Sequence, residues 1–461
     1  MIKNSRRDFI KLSLAGGLAA GIGGMNGIAG GSGNKHTPLP QQGKSMMGFR
    51  CDPIPNVKIG VVGLGRGGSA VYRLSRIEGA SVAAISDILP DRIENAQKSL
   101  RNAGRPEAFA YSGEEDWKKM CERDDIDLIY NATPWYLHVP VARYAMEHGK
   151  HIAVEVPAAL TVDDCWALVD TAEKTRRHCM MLENCCYDFF ELTTLNMARQ
   201  DVFGEIYHGE CAYIHDCRSL NFDRNRNPVL WRLEYIKRHT GNMYPTHGLG
   251  PMAQIMGINR GDRFVCLTSM STNPFGLALY AAKTFGADSV EATTAYKLGD
   301  INTTLVRTAN GHTIMIQYDT TSPRPYDRIH KISGTKGYAV KYPEEKIALE
   351  PNAHEFLKPD ELKALITKYE HPLSKYIGEQ AKAVGGHGGM DYMMDWRLIY
   401  CLRNGLPLDQ DVYDAATWSC IFELSEQSAL NGSNALEIPD FTRGEWQNAK
   451  PWPVVDMQSV F

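Results

Sequence analysis

The pattern of apolar residues changes near residue 185. Before it, short apolar runs alternate with segments of helical pattern; the runs are NVKIGVVG, SVAAISD, DIDLIYNATP and HIAVEVP. Strands that alternate with helices predict a parallel, doubly wound sheet with helices on both faces. The first half of the chain is therefore predicted to be an α/β domain.

After residue 185 the apolar runs pair with each other instead. EIYHGECAYIHDC alternates, TTLVRTANGHTIMIQYD is two β-rich runs joined by Asn310-Gly311, and KISGTKGYAVKY is another pair around a glycine turn. Helical patterns return in GGMDYMMDWRLIYCLRNG and, behind Asp411 as an N-cap, in DVYDAATWSCIFELSEQSAL. These runs predict a C-terminal α+β domain built on a largely antiparallel open sheet.

The N-terminus predicts where the protein acts. NSRRDFIKLSLAGGLAAGIGGMNGIAG places Arg6 and Arg7 before a glycine-rich apolar run and resembles a bacterial twin-arginine signal. The alternative, a basic end before a short buried helix, is disfavoured by the glycines. We expect the twin-arginine machinery to export the folded protein, with its cofactor, to the periplasm. No later run approaches the roughly 20 apolar residues of a membrane span.

The predicted boundaries follow from these patterns. We expect a signal peptide over residues 1–31, a linker rich in Gly, Ser, Pro and Gln over 32–55, a nucleotide-binding domain over 56–184, a substrate-binding domain over 185–442 and a C-terminal tail over 443–461. The oligomeric state, a homo-oligomer included, is left open by the sequence.

The composition of the chain argues against nucleic acid and metal ions as binding partners. The 461 residues are 43% hydrophobic and 23% charged, with a formal net charge of -4, so no basic field favours nucleic acid. The 11 cysteines are odd in number and scattered, without CxxC pairs. We therefore predict no metal site, and Cys185 and Cys186 are interpreted as buried thiols.

A glycine motif predicts a dinucleotide site. Gly63, Gly65 and Gly68 follow the first strand and open a helix, and Asp87 ends the next strand. Gly63 would permit the tight turn, Gly65 the approach of a pyrophosphate, and Gly68 close packing of helix on strand. Asp87 would accept from ribose hydroxyls and repel a 2′-phosphate, which favours NAD over NADP. The alternative is a glycine turn with a purely structural role. However, NATPWYLH and AVEVP also lie at the ends of predicted parallel strands, which is the edge where doubly wound Rossmann sheets bind ligands.

These motifs resemble the Gfo/Idh/MocA oxidoreductases from about Val57 to about Thr442. In that superfamily a Glu-Lys-Pro sequence is usual and its lysine assists hydride chemistry. This chain has Val156 between Glu155 and Pro157. The ammonium of an ordinary sugar dehydrogenase is thus missing.

A larger set of motifs resembles glycoside hydrolase family 109, the NAD-dependent exo-acting α-N-acetylgalactosaminidases. The set comprises the twin-arginine signal, GLGRGG, NATPWYLH, EVP, ENCCY, WRLEY, NMYPTHGLGP and GHGGMDYMM. The resemblance implies retaining hydrolysis of a terminal α-linked N-acetylgalactosamine on a small glycoside or glycan, with NAD regained at each turnover. In the implied route hydride leaves C3, a base removes the C2 proton, the aglycone is eliminated, water adds at C1, and proton and hydride return.

The resemblance also implies roles for individual residues. Tyr244 and His247 are implied to face the reacting carbons. The implied substrate-binding residues are Tyr213, Arg232, Tyr244, Pro245, Thr246, His247 and Tyr326. The implied cofactor-binding residues are Leu64, Gly65, Arg66, Asp87, Trp135, Tyr136, Leu137, His138, Glu155, Val156 and Asn184.

The residues themselves support part of this. GNMYPTHGLG holds Tyr244 and His247 three positions apart between glycines, which predicts a stiff turn that presents two groups suited to proton transfer. Cys211, Tyr213 and His215 share one face of a predicted strand, the face expected to line a pocket.

Several side chains have structural interpretations as well. Tyr213 and Tyr326 could equally be packed residues. Arg232 could pair with Glu234, and His138 could cap a helix or line the nicotinamide pocket. His387 and Asp391 are interpreted as a structural motif at a helix start. At the level of function, a periplasmic sugar oxidoreductase and a non-catalytic NAD sensor are the rivals.

Overall fold

The computed structural model describes residues 43–451. The predicted signal peptide, the first part of the predicted linker and residues 452–461 lie outside the described residues.

The first half forms the predicted parallel sheet. Its strands run in the order β3-β2-β1-β4-β5-β6, with every neighbouring pair parallel. β4 and β5 are buried along their whole length, as expected for strands covered on both faces. The strands are β1 Val57–Val62, β2 Ala80–Ser86, β3 Phe109–Tyr111, β4 Leu128–Asn131, β5 His151–Val154 and β6 Cys179–Met181. The helices between them are α1 Leu64–Leu74, α2 Pro90–Asn102, α3 Trp117–Cys121, α4 His138–Glu147 and α5 Val162–Thr175.

The second half contains an eight-stranded sheet in the order β13-β12-β11-β7-β10-β9-β8-β14. Only β7 and β10 pair in parallel within it; the hairpin at Asn310-Gly311 joins β9 and β10 as predicted. The largely antiparallel sheet is therefore confirmed. Its strands are β7 Ile206–Ile214, β8 Phe264–Ser271, β9 Asn302–Thr308, β10 Thr313–Asp319, β11 Lys331–Gly334, β12 Gly337–Val340, β13 Lys346–Leu349 and β14 Leu436–Glu437.

Helices of the second half pack against one face of this sheet, and some of them also pack against the first domain. Asp411 caps its helix as predicted, because its carboxylate accepts from the backbone N–H groups of Tyr413 and Asp414. The helices are α6 Phe189–Arg199, α7 Arg218–Asn221, α8 Trp231–Arg238, α9 Thr246–Ile255, α10 Gly276–Phe285, α11 Val290–Thr293, α12 Pro359–Lys368, α13 Pro372–Val384, α14 Met390–Asn404, α15 Val412–Ser419 and α16 Ile421–Leu430. Short 3₁₀ turns occupy Trp135–Leu137, Asn184–Tyr187, His387–Gly389 and Glu445–Gln447. α14 contacts α1, which joins the two halves beside the glycine motif.

Parts of the predicted linker and tail pack against the body. Met46 is buried, and its backbone N–H donates to the Tyr413 hydroxyl at 3.0 Å. Arg443 donates to the Glu173 carboxylate at 2.9 Å. Residues 43–55 thus lie along the fold although their composition resembles a linker.

The glycine motif needs one correction. A Cβ at Gly67 would lie 2.9 Å from the Val61 side chain, whereas one at Gly68 would meet nothing within 4 Å. Close packing of α1 on β1 therefore depends on Gly67, and the role predicted for Gly68 is wrong. The spacing alone could not show which of two adjacent glycines faces the sheet.

Within residues 43–451, no helix is long and apolar enough to cross a membrane.

Candidate active site

The predicted nucleotide edge is formed where β1 and β2 end. Gly63 has φ of 84°, and a Cβ there would lie 2.6 Å from the Ala132 carbonyl oxygen, so glycine is required. The buried Asp87 carboxylate accepts from the N–H groups of Leu64 at 2.7 Å and Leu89 at 2.9 Å. The Gly63 N-cap has no side chain and the Leu64 N–H is taken by Asp87, so the first turn of α1 can offer the N–H groups of Gly65 and Arg66 to a pyrophosphate. These residues fit a dinucleotide.

Further predicted cofactor residues lie beside this edge. Arg66, on α1, pairs through Nε with Glu155 Oε1 at 3.2 Å. Trp135 Nε1 donates to the Val156 carbonyl oxygen at 3.1 Å, which ties the NATPWYLH segment to the end of β5. Asn184 follows β6 and donates to Asp391 at 2.5 Å.

His138, the first residue of α4, contacts two backbone carbonyl oxygens and holds the start of this helix in place. Its Nδ1 lies 2.7 Å from the Pro157 carbonyl oxygen and its Nε2 lies 2.9 Å from that of Thr133. Burial lowers the pKa of the imidazole, although both carbonyls oppose that shift. Neither ring nitrogen is left for a ligand. Of the adjacent predicted contacts, Leu137 is half-buried and Tyr136 is exposed.

The segment with Tyr244 and His247 was predicted as a turn, and this is only partly correct. Residues 241–245 have no regular structure, but α9 begins at Thr246, so His247 lies in the first turn of a helix. A Cβ at Gly248 would lie 2.5 Å from the backbone nitrogen of Ala212 on β7. The glycines therefore allow α9 to lie directly on the sheet, and the helix rather than a turn limits the motion of His247.

The predicted sugar-binding side chains come together as a cluster of rings. The ring of Tyr213 lies 4.7 Å from that of Tyr244, 5.2 Å from His247 and 6.2 Å from Tyr326. Tyr244 and His247 are 4.8 Å apart and nearly perpendicular. Trp135, from the cofactor side, lies 6.1 Å from Tyr244. The predicted catalytic, sugar and cofactor residues thus meet around Tyr244.

Glu183, a residue that we did not predict, holds His247. Glu183 Oε1 lies 2.8 Å from His247 Nδ1 and also accepts from the Cys185 N–H at 3.1 Å. Burial opposes the charge of this fully buried carboxylate, but His247 and the nearby Thr246 hydroxyl outweigh it and lower its pKa. Glu183 is therefore an anion at neutral pH. Within the part of the chain that the structure describes, His247 Nε2 makes no hydrogen bond, so it can face a substrate.

Possible metal ligands of Glu183, Cys185 and His247 lie within 4.8 Å of one another. Burial raises the pKa of the Cys185 thiol well above its usual value, and the protonated thiol is a weak ligand. Since Glu183 and His247 already bond to each other, the arrangement favours a proton network over a metal centre.

The tyrosines of the cluster are protonated at neutral pH. Burial raises the pKa of the Tyr244 hydroxyl well above its usual value; Tyr213 adds to the shift, whereas Arg232 opposes it. Tyr213 is shifted in the same direction, also by burial. These hydroxyls are suited to donate hydrogen bonds to sugar oxygens.

Arg232 does not pair with Glu234, whose carboxylate binds Lys237 and Arg238 instead. Its guanidinium lies 5.2 Å from the Trp135 ring and 5.6 Å from the Tyr244 ring. Among residues 43–451 we find no carboxylate that forms an ion pair with Arg232. The guanidinium is half-buried, and it makes no hydrogen bond to any described residue, so it is suited to bind oxygen atoms of a ligand.

Two further residues support the sugar side. Arg328 donates to the Tyr326 hydroxyl at 3.0 Å and so fixes this half-exposed ring. His215, which directly follows β7, has Nδ1 3.3 Å from the Tyr213 hydroxyl. Its position on the predicted polar face was the available signal. Glu183 had a weaker one, its place in the ENCCY motif.

Comparison with known proteins agrees with a nucleotide-binding domain followed by a second, sugar-binding domain. Residues 57–183 match the family described as oxidoreductase family, NAD-binding Rossmann fold, and residues 187–448 match glycosyl hydrolase 109, C-terminal domain. The chain belongs to glycoside hydrolase family 109. An α-N-acetylgalactosaminidase of Bacteroides fragilis is 56% identical over 406 residues, which is 87% of this chain and 96% of that protein. A glycosyl hydrolase family 109 protein of a Shewanella species is 47% identical over 98% of each chain.

Solved structures share the fold. A levoglucosan dehydrogenase in complex with NADH and L-sorbose has a TM-score of 0.62 and 19% identity, covering 84% of this chain and 100% of that one. This likeness confirms the Rossmann domain followed by an open sheet. NAD is the cofactor that the family match and the Asp87 edge indicate.

Replacing Asp87 by alanine should weaken NAD retention. The change removes a buried anion at the predicted ribose position, and charged hydrogen bonds contribute about 1–3 kcal/mol. Nucleotide content after purification and a dialysis series would measure the loss. Asp91→Ala, an exposed acid in the first turn of α2, is the matched control and should retain NAD. Equal NAD content in both variants would contradict the assignment.

Proposed function

We propose that this protein hydrolyses terminal α-linked N-acetylgalactosamine with retention, through transient oxidation of the sugar at C3. The observation that carries the proposal is the Glu183–His247 pair, whose free Nε2 and neighbouring Tyr244 hydroxyl lie beside the residues predicted to hold NAD. A proton carrier and a hydride acceptor are the two parts that an oxidation–elimination route needs.

The carboxylates at the site do not resemble those of an ordinary glycosidase. Such enzymes present two carboxyl groups across the scissile bond. Here Glu183 is fully buried against His247, and Glu155 pairs with Arg66. Both are therefore occupied in holding other side chains, which favours proton transfer by imidazole and phenol.

The roles of the chain's own residues follow from their contacts. NAD, when bound by the edge around Asp87, supplies a reversible hydride acceptor for C3. His247 Nε2 can take the C2 proton, because Glu183 stabilises the imidazolium that results. The C2–H electrons form the C1–C2 double bond and the bond from C1 to the aglycone oxygen breaks. Protonated Tyr244 donates a hydrogen bond to the sugar. The C3 hydroxyl proton leaves to solvent as hydride is removed, and the departing aglycone oxygen takes a proton from solvent. Water then adds its oxygen at C1 and releases a proton, His247, whose imidazolium proton exchanges with solvent, protonates C2, and hydride and a proton return to C3 and its oxygen.

One assay separates this function from its rivals. Release of p-nitrophenol from the α-N-acetylgalactosaminide without added NAD supports the proposal, because neither an oxidoreductase nor a sensor would release it. Absence of release across α- and β-linked sugars would overturn it. Net accumulation of NADH with a free sugar would favour the periplasmic sugar oxidoreductase.

Reaction in heavy water should place deuterium at C2 of the released sugar. Only a carbonyl at C3 makes the C2 proton labile, so direct displacement at C1 would leave it untouched. NMR of the product measures the exchange, and a substrate deuterated at C2 or C3 should turn over more slowly if either bond limits the rate. Complete retention of the C2 proton together with no isotope effect would contradict the route.

Export through the twin-arginine machinery to the periplasm is part of this proposal. It is supported by Arg6, Arg7 and the apolar run that follows them. Since this pathway carries folded proteins, NAD would be bound in the cytoplasm and retained. Slow release of the cofactor is thus a functional requirement.

A further inference from the structure

A glycine-rich loop, residues 385–389, brings His387 to the nucleotide side of the site. All five residues have positive φ, between 46° at His387 and 113° at Gly389. A Cβ at Gly386 would lie 2.7 Å from that of Asp391, and one at Gly389 would lie 2.9 Å from the Ala381 backbone. The loop therefore follows a path of positive φ that favours glycine, which occupies every position except His387, and it packs against the start of α14.

Asp391, in the first turn of α14, contacts four polar side chains. Its carboxylate lies 2.5 Å from Asn184 Nδ2, 3.0 Å from His387 Nδ1, 3.3 Å from Arg66 Nη2 and 3.5 Å from Arg73 Nη1. The side chain is 2% exposed. Such a buried anion fixes its partners in orientation, because leaving a charge unpaired there is costly.

Two of these partners are predicted cofactor contacts. Arg66 directly follows Gly65 of the glycine motif, and its guanidinium spans from Glu155, after β5, to Asp391. Asn184 donates to the same carboxylate from the turn after β6. Asp391 of the C-terminal domain thus fixes the orientation of two side chains, Arg66 and Asn184, which follow different strands of the Rossmann domain.

We propose that Asp391 is a positioning residue for the dinucleotide, and that His387 and loop 385–389 form a latch whose opening limits the release of NAD. The latch contacts Arg66 at the end of its guanidinium, where His387 Nδ1 lies 3.5 Å from Arg66 Nη2, whereas Glu155 binds Arg66 Nε. Arg66, a predicted cofactor contact, cannot change its orientation without breaking its contacts with Asp391 and His387. The inference rests on NAD binding and does not require that the glycoside be hydrolysed as proposed.

Exchange of bound NAD for isotopically labelled NAD, without any glycoside, tests the latch. Asp391→Asn keeps the shape of the side chain and removes its charge, and we expect exchange to be faster by about tenfold or more. The matched control is Asp395→Asn, one turn along α14, whose carboxylate binds Arg73 and Tyr130 but contacts neither Arg66 nor Asn184. A general loss of stability would accelerate exchange in both variants.

Two milder variants keep the test decisive if Asp391→Asn does not fold. His387→Ala removes a half-exposed side chain. Gly388→Ala strains the loop, and its control is Gly311→Ala in the β9–β10 hairpin; both glycines have positive φ, 76° and 90°, and neither Cβ would meet an atom within 4 Å. We expect faster exchange in His387→Ala and in Gly388→Ala than in Gly311→Ala.

The outcomes separate the latch from a structural role. Exchange that is faster only in the loop and Asp391 variants, with equal melting temperatures for Gly388→Ala and Gly311→Ala, supports the proposal. Wild-type exchange in His387→Ala and equal exchange in Gly388→Ala and Gly311→Ala would overturn it. A protein that fails to release p-nitrophenol but shows the exchange pattern would lose the proposed function and keep the latch.

Discussion

Replacement of His247 by alanine should lower kcat for α-N-acetylgalactosaminide hydrolysis by about 10²–10⁴-fold, the range typical of general acid–base groups. The variant removes the imidazole that joins Glu183 to the ring cluster, which is the group placed to carry the C2 proton. The fold and the bound NAD should persist, because the Asp87 edge does not involve His247. Steady-state kinetics with nucleotide content measured on the same sample would check this.

The chain offers a matched control for His247. His239 forms a second imidazole–carboxylate pair, with Nδ1 2.8 Å from Glu426 Oε2, but it takes no part in the ring cluster. His239→Ala should therefore keep nearly full activity. Wild-type turnover in His247→Ala would leave deuterium exchange at C2 to decide the route and would remove only the assignment of the base.

Tyr244→Phe provides the second half of this experiment. The ring and its packing remain, and only a hydroxyl that burial keeps protonated is lost. Tyr318→Phe is the control, since the Tyr318 hydroxyl is already bonded to Thr320 at 3.0 Å. A loss confined to Tyr244→Phe would assign the effect to hydrogen bonding with the substrate.

The folds of both domains were predictable because their signals are local. Strands buried on both faces must be apolar along their length, so β4 and β5 stand out in the sequence. The β9–β10 hairpin follows from Asn310-Gly311, whose dipeptide suits a tight turn. β3 and β6, with three residues each, are too short to give any such pattern.

Features that depend on contacts between distant segments were not predictable. Glu183 lies 64 positions before His247, and no spacing relates them until α9 packs on the turn Asn184–Tyr187 that follows Glu183. The glycines of α9 indicated a turn, although they are there for close packing: a Cβ at Gly250 would lie 2.8 Å from Glu183 Cγ. Local propensity pointed away from a helix that tertiary contacts stabilise.

The same limit explains His387 and Asp391. Their place at a helix start was predicted, since α14 begins at Met390. Their contacts with Arg66 and Asn184 were not, because those side chains lie more than 200 positions earlier in the chain. A glycine-rich motif before a helix shows an unusual backbone and does not show what the loop touches.

Glu183→Gln should reduce kcat by about 10²-fold or more while His247 stays in place. Glutamine can still accept from the Cys185 N–H and from His247 through its amide oxygen, so the geometry is kept and the negative charge is lost. Without that charge the imidazolium that forms when His247 takes the C2 proton is less stable, so removal of this proton should be slower. Glu426→Gln, which makes the equivalent change beside His239, should leave kcat unchanged.

The stability of the same variant tests the ionisation of Glu183 separately. The pKa of this carboxyl is lower in the folded protein than its ordinary value of 4.5, so its ionisation stabilises the fold fully above about pH 4.5 and progressively less as the pH falls. The difference in unfolding free energy between wild type and Glu183→Gln should therefore be constant near neutral pH and decrease in acid. A variant with near wild-type turnover would show that Glu183 only packs against His247. Proton transfer would then have to be assigned to another group of the cluster, with His215 the first to test.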